Sequence, residues 1–291
     1  MNHFIYDKIK PIYKAIHDIN LKNKELKNSQ QNIDLITKVE KEVSLYSENK
    51  TMEIQKLKEM EQYRKEFLGN VSHELKTPIF NIQGYILTLI DGGINDPEIT
   101  KLYLDRTEKS INRMISIVED LDTISRLEAG QLELKPSDFD ISELITDVYE
   151  IHQIKANEKK IRLDYVNELM MPIFVNADKK RIFEVLSNLV INGLNYGKKK
   201  GFIQIKIYDM DKYILIEIKD NGKGIPAENL PRIFERFYRV DKGRSREEGG
   251  TGLGLSIVKH IIEVHDQTIN VKSTIDEGTS FSFTLNKSQK K

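Results

Sequence analysis

The feature that most limits how this chain folds is a long run of apolar residues at helical spacing, broken once by a turn and then resumed. One seam places Ile36, Val43, Leu57 and Val71 at a positions of a heptad and Val39, Tyr46, Met60 and Phe67 at d positions. Lys50, Glu53 and Arg64 fall on the same seam, so the coil it describes is imperfect. An earlier seam, Ile5, Ile9, Ile12, Ile16 and Ile19, runs one residue out of phase, and Pro11 interrupts or starts its helix. The helical pattern continues through His73 to about Ile90, where Asp91-Gly92-Gly93 and Asn95-Asp96-Pro97 supply turn chemistry. A second amphipathic run passes through Leu102, Met114, Ile115, Val118, Leu121, Ile124 and Leu127. Two such helices form a hairpin, and a hairpin with so long an apolar face completes its packing by dimerising into a four-helix bundle.

Gly130 and Pro136 end that pattern, which places a domain boundary near Leu134 to Ser137. Beyond it the periodicity predicts helices at about 142–157, 179–195 and 253–265, and strands near 161–165, 202–208, 213–219, 269–273 and 279–285. That alternation reads as an α/β sandwich whose last strands are antiparallel neighbours. The expected division is a helical linker over 1–62, a hairpin domain over 63–134 and an α/β domain over 137–287.

Bulk properties narrow the function classes. The 45 basic and 45 acidic residues cancel, so no global field draws the chain to nucleic acid or an anionic membrane. Cysteine is absent, which removes disulfides and thiol chemistry and fits a reducing compartment, the cytoplasm by default. No run of 18 or more apolar residues occurs, and the first 20 residues lack the pattern of a signal peptide.

Four segments carry chemistry. Val71-Ser72-His73-Glu74-Leu75-Lys76-Thr77-Pro78 lies in the long helix, with His73 at an outward c position of the seam and a kink expected at Pro78. A neutral imidazole attacks phosphorus through one ring nitrogen, and Glu74 is the nearest carboxylate to take the proton from the other. Asp220-Asn221-Gly222-Lys223-Gly224-Ile225 follows a strand; its glycines let backbone approach a flat ligand and Asp220 can accept from an exocyclic amine such as adenine's, although Asn-Gly also marks a plain turn. Gly249 to Ser256, including Gly250, Thr251, Gly252, Leu253 and Gly254, opens a helix and suits phosphate oxygens. Asn188 and Asn192 share one helix face, where amide oxygens suit a Mg²⁺ shared with a triphosphate or a buried amide network. Between the glycine segments, Phe234 to Arg239 and then Lys242, Arg244 and Arg246 read as a lid with cations for the triphosphate, or as a solvated basic loop.

In this order and spacing the segments resemble the boxes of the histidine kinase family over about residues 60 to 287: His73 in the H-box, Asn188 to Asn192 in the N-box, Asp220 to Gly224 in the G1 box, Phe234 to Tyr238 in the F-box, Gly250 to Gly254 in the G2 box, and Gly278-Thr279 as the last glycine motif. The resemblance implies a HisKA-type dimeric bundle bearing the phosphorylated histidine, followed by a Bergerat (GHKL) ATP-binding domain. It implies that Asn192 holds Mg²⁺, that Asp220 reads adenine, and that Tyr196 and Ile225 line the base pocket, with Tyr238 and Thr279 among the ATP contacts. Thr77 matches the position that orients water for phosphatase action in relatives. A homodimer, a response regulator whose aspartate receives the phosphoryl group, and no nucleic-acid partner follow from the same resemblance. Phe4, Tyr6, Lys8, Lys10, Tyr13 and Lys14 suit a membrane interface, so the chain reads as the cytoplasmic part of an inner-membrane receptor that lacks its sensor segment, or as a cytoplasmic protein.

Two departures bear on activity. Where the family has Asn-Ala-x-Lys-Tyr, this chain has Asn192-Gly193-Leu194-Asn195-Tyr196, losing a helix former and a phosphate-facing lysine, with Lys198, Lys199 or Lys200 as candidates to compensate. The alternative this raises is a kinase-weak, phosphatase-dominant ATP-binding regulator. Where relatives carry His-Gly-Gly, His265-Asp266-Gln267 gives up glycine's freedom at a tight turn, an effect expected on stability more than on chemistry. A chaperone-, gyrase- or mismatch-repair-type ATPase is disfavoured by the Val71 to Pro78 segment, which such enzymes do not need.

Overall fold

The computed structural model describes residues 29–128, 133–166, 172–240 and 250–288, and the chain divides into two compact units, 1–66 and 67–291. The seam at Ile5 to Ile19, the residues from Phe4 to Lys14, and Lys242, Arg244 and Arg246 lie outside the described residues. In the first unit the described chain is helical, and the seam residues Val43, Tyr46, Leu57 and Met60 are exposed. Among the described residues no helix is long and apolar enough to cross a membrane.

The second unit begins within helix α1 (Ser29–Ile90), which contains Pro78, and continues through a short 3₁₀ turn, Gly93–Asn95, into α2 (Pro97–Glu128). The start of α2 is written in its residues: the Asp96 carboxylate accepts the Glu98 and Ile99 N–H groups at 2.9 and 3.2 Å, and Pro97 takes the first helical position, where a missing N–H costs nothing. Leu89, Ile117, Ile124 and Leu127 are buried. Ile79, Phe80, Leu87, Ile90, Ile111, Ile115 and Val118 stay 45% exposed or more, so a single hairpin leaves much of its apolar surface uncovered.

After the hairpin come β1 (Ser137–Asp140), α3 (Ile141–Lys159), β2 (Arg162–Val166), β3 (Phe174–Ala177), α4 (Lys179–Tyr196), β4 (Phe202–Met210), β5 (Tyr213–Asp220), a 3₁₀ segment Ala227–Arg232, α5 (Gly254–Val264), β6 (Ile269–Thr274) and β7 (Gly278–Lys287). The strands form one mixed sheet in the order β1-β3-β7-β5-β4-β2, with β6 also paired to β7. Only β2 and β4 are parallel; the remaining pairs are antiparallel, including β6 with β7 as expected. Period-two alternation sends Ile203, Ile205 and Ile207 of β4, Ile214, Ile216 and Ile218 of β5, and Phe281, Phe283 and Leu285 of β7 into one core. Opposite them, α4 buries Ile182, Val185, Leu186, Leu189, Val190 and Leu194, and α5 buries Ile257, Val258, Ile261 and Ile262, both at helical spacing. The polar face of the sheet pairs Tyr208 and Ser280 with Glu217 through hydrogen bonds of 3.0 and 2.6 Å.

Two strands, β1 and β3, escape the sequence pattern. Each has four residues, and they pair with each other at the sheet edge. Their ends are also helix caps: Asp140 accepts the Ser142 N–H at 2.9 Å to start α3, and Asp178, just past β3, accepts the Arg181 N–H at 3.1 Å to start α4.

Candidate active site

Helix α4 supplies one wall of the cleft in the α/β part. Asn188 and Asn192 lie one turn apart on the same face; Asn192 lines the cleft, and Asn188 lies beside the first residue of α5. A Cβ at Gly254 would come within 2.9 Å of the Asn188 side-chain oxygen, so the glycine lets the α5 N-terminus close on that amide. Tyr196, Asp220, Gly224, Ile225, Tyr238, Arg239, Leu255 and Thr279 line the cleft with Asn192, beside Lys223, Ile233, Val240 and Phe281, which brings together residues from four of the motifs.

Asp220 ends β5 opposite Thr279 of β7, and one of its carboxylate oxygens accepts the Gly222 N–H at 2.7 Å. Burial pushes this carboxyl above its ordinary range, while the Gly222 and Thr279 N–H groups pull it back. The turn after it is tight: Gly224 has φ +71°, and a Cβ there would lie 2.0 Å from the Thr274 carbonyl oxygen, so no side chain fits. The Ile225 N–H donates to the Ser273 hydroxyl at 2.8 Å, and that hydroxyl lies 2.9 Å from the buried Thr279 hydroxyl. Tyr238 donates to Asn229 at 2.6 Å beneath the Arg232 guanidinium, 4.4 Å from its ring centre, which fixes the phenol at the cleft mouth.

The glycine loop opens α5. Thr251 is buried, and its hydroxyl accepts the Leu253 N–H at 3.2 Å; the Leu253 side chain is fully buried, so only its backbone is available to a ligand. Near the cleft Lys198 bonds the Asp276 carbonyl at the β6–β7 turn and does not line the cleft. Asn195 itself is buried and accepts from Lys159 at 3.3 Å, and Lys159 also donates to the Leu194 carbonyl at 2.9 Å, capping the end of α4. Gly193 has a packing reason: a Cβ there would meet the Ile203 side chain at 2.8 Å, so its loss as a helix former lets β4 pack closely on α4.

On the hairpin, His73 is exposed and Val71 half-buried, as the seam requires. The Thr77 hydroxyl donates to the His73 carbonyl one turn back at 3.3 Å. Glu74 forms an ion pair with Arg113 of α2 at 2.7 Å, with the two side chains only 15% and 13% exposed. Arg113 was not legible from the sequence, because its partner lies 39 residues away and nothing local distinguishes it from other helix-surface arginines. Among the described residues no cluster of three or more His, Cys, Asp or Glu could hold a metal on its own.

Comparison with known proteins bears on both regions. The family model for the His Kinase A (phospho-acceptor) domain matches residues 63–130, and that for the histidine kinase-, DNA gyrase B-, and HSP90-like ATPase matches residues 177–289. The chain is 35% identical over 229 residues to the sensor protein kinase WalK of Staphylococcus aureus, an alignment covering 78% of this chain and 54% of that protein. The chain therefore spans about half the length of that relative. Among solved structures it resembles the histidine kinase AdeS of Acinetobacter baumannii, at 28% identity and a TM-score of 0.57, over 75% of this chain and 98% of that one. It also resembles the histidine kinase ThkA, solved in complex with the response regulator protein TrrA, at 27% identity and a TM-score of 0.61, over 77% of this chain and 61% of that one.

Proposed function

Because this chain belongs to the histidine kinase family, we propose that it transfers the γ-phosphoryl group of ATP to its own His73 and then passes it to an aspartate of a response regulator. The observation that carries the proposal is the exposed His73, followed by a carboxylate held by Arg113, in the same compact unit as a cleft that joins Asp220, Asn192 and Leu255 of the first turn of α5.

In this account Asp220 accepts from the adenine amine, and Tyr196 and Ile225 cover the base. The backbone from Gly250 to Gly254 and the N-terminus of α5 meet the phosphates. Asn192 would hold Mg²⁺ through its amide oxygen together with phosphate oxygens and water, a donor set that suits a hard cation. An ion held there by Asn192 would neutralise charge on the triphosphate. His73 attacks the γ-phosphorus through one ring nitrogen as the bond to the bridging oxygen breaks and ADP leaves. The proton on the other ring nitrogen passes to Glu74. Arg113, 2.7 Å from that carboxylate, fixes its direction and so helps orient the imidazole. Positioning and charge neutralisation, rather than covalent help from the protein, carry most of phosphoryl transfer.

The uncovered apolar surface of the hairpin and the exposed heptad seam support a homodimer built on a four-helix bundle, with 1–62 as coiled-coil linker, 63–134 as phosphoacceptor domain and 137–287 as ATP-binding domain. We place the activity in the cytoplasm, where ATP is supplied, under the control of a sensor segment. The phosphatase-dominant alternative rests on Gly193 and Asn195; the packing of Gly193 against Ile203 weakens the first of these, and the sensor-kinase relatives do not favour the alternative. Thr77 remains the residue to orient water for dephosphorylating the partner. Titration calorimetry with ATP and GTP tests the nucleotide site: GTP presents a carbonyl where Asp220 needs a donor and should bind at least about 100-fold more weakly. Equal affinity for the two would remove the basis for the adenine reading.

A further inference from the structure

The glycine loop is held from outside the cleft as well as from within. The Thr251 hydroxyl, which accepts the Leu253 N–H, donates to a carboxylate oxygen of Asp120 on α2 at 2.7 Å. Leu253 is the N-cap residue of α5, so one N–H at the phosphate end of that helix is already engaged by an oxygen tied to the hairpin. On the other side of the loop the Phe237 N–H donates to the Gly252 carbonyl at 2.8 Å. The Phe237 ring lies 5.8 Å from that of Phe67 on α1, and the Arg236 guanidinium sits 5.7 Å from the same Phe67 ring. The two hairpin helices therefore grip two chain segments that are bonded to each other, α1 through an aromatic contact and α2 through a carboxylate.

A carboxylate in that position resembles the ligand the loop suits. Carboxylate and phosphate oxygens are both acceptors that seek hydroxyl and N–H donors at a helix N-terminus, so a Thr251 hydroxyl given to Asp120 is not available to a phosphate oxygen.

We propose that Asp120 is an internal competitor of nucleotide phosphate: it docks the glycine loop on the hairpin through Thr251, so that docking and triphosphate binding each weaken the other. This rests on the nucleotide site proposed above. Asp120 acts as a positioning residue, since its effect on the ligand passes through Thr251. The coupling is reciprocal, so whatever docking takes from ATP affinity, ATP takes from docking.

The test measures equilibrium binding of a non-hydrolysable ATP analogue and of adenosine to the full chain, with Asp120→Ala, Asp120→Asn and Phe67→Ala beside the parent. Asp120→Ala removes the acceptor and should tighten the analogue roughly fivefold or more, while adenosine, which has no phosphate, binds unchanged. Asp120→Asn keeps an acceptor for Thr251 and should not tighten binding. Phe67→Ala loosens the grip from α1 and should shift affinity in the same direction as Asp120→Ala, which keeps the test open if the Asp120→Ala chain folds poorly. Analogue affinity for Asp120→Ala and Phe67→Ala within twofold of the parent overturns the proposal, as does equal tightening by Asn and Ala, which would point to simple charge repulsion. A parent that binds neither ligand instead removes the nucleotide site itself, and the competition with it.

Discussion

Replacing Asp120 by Asn should make the protein more stable at neutral pH. Burial pushes this carboxyl from its ordinary 3.8 to about 6, opposed by the hydrogen bond from Thr251 and assisted by Glu184 and Glu119. The folded state therefore holds the proton more tightly than the unfolded chain between about pH 4 and pH 6. Stability contributed by this site falls as pH rises through that window, and the penalty is complete above about 6. A difference of just over two pH units at about 1.36 kcal/mol each comes to about 3 kcal/mol. Asn removes the charge and keeps an oxygen for Thr251, so Asp120→Asn should gain up to about 3 kcal/mol at pH 7.5, with the gain shrinking steadily toward pH 4.5. Urea midpoints of the two proteins across that pH range give the answer. A variant no more stable than the parent at pH 7.5, or a gain that does not change with pH, refutes the reasoning.

Three further outcomes follow from particular contacts. Arg113→Met leaves Glu74 buried without its cation and should cost about 3 kcal/mol of stability, read as a lower urea midpoint, and should slow phosphorylation by loosening Glu74. Asp266 sits at φ +56°, the left-handed region, so Asp266→Gly should raise stability by about 1 kcal/mol with nucleotide affinity unchanged in calorimetry. Gly224→Ala, whose Cβ would lie 2.0 Å from a carbonyl oxygen, should weaken ATP binding about tenfold or more, since strain of about 1–3 kcal/mol falls on the turn that shapes the base pocket.

What was legible in the sequence is what depends on periodicity and local chemistry. The alternating isoleucines of β4 and β5 and the apolar stripes of α4 and α5 appear where the pattern puts them, because one buried face fixes each register. Asp96-Pro97 states the start of α2 outright. The four-residue strands β1 and β3 are too short to show a period, and Asp140 and Asp178 read as cap or turn residues, which hides the strands they end. At the site, the glycine and asparagine motifs are local patterns that a sequence displays, and of them Asn192, Asp220 and Gly224 line one cleft. The long-range pairs, Glu74 with Arg113 and Asp120 with Thr251, join residues 39 and 131 positions apart, and neither partner carries a mark of the other. Gly193 shows the converse: a departure that looked like a loss in the helix becomes intelligible once Ile203 is seen to pack against it. Lys242 and Arg244, expected among the phosphate contacts, lie outside the described residues.

The measurement that bears most directly on the proposed activity is incubation of the purified chain with Mg²⁺ and γ-labelled ATP beside His73→Ala and Asp220→Asn. The account predicts acid-labile, base-stable label on the parent and none on either variant, since one lacks the acceptor nitrogen and the other the adenine contact. Label that persists on His73→Ala, or an unlabelled parent that still binds ATP, would contradict it.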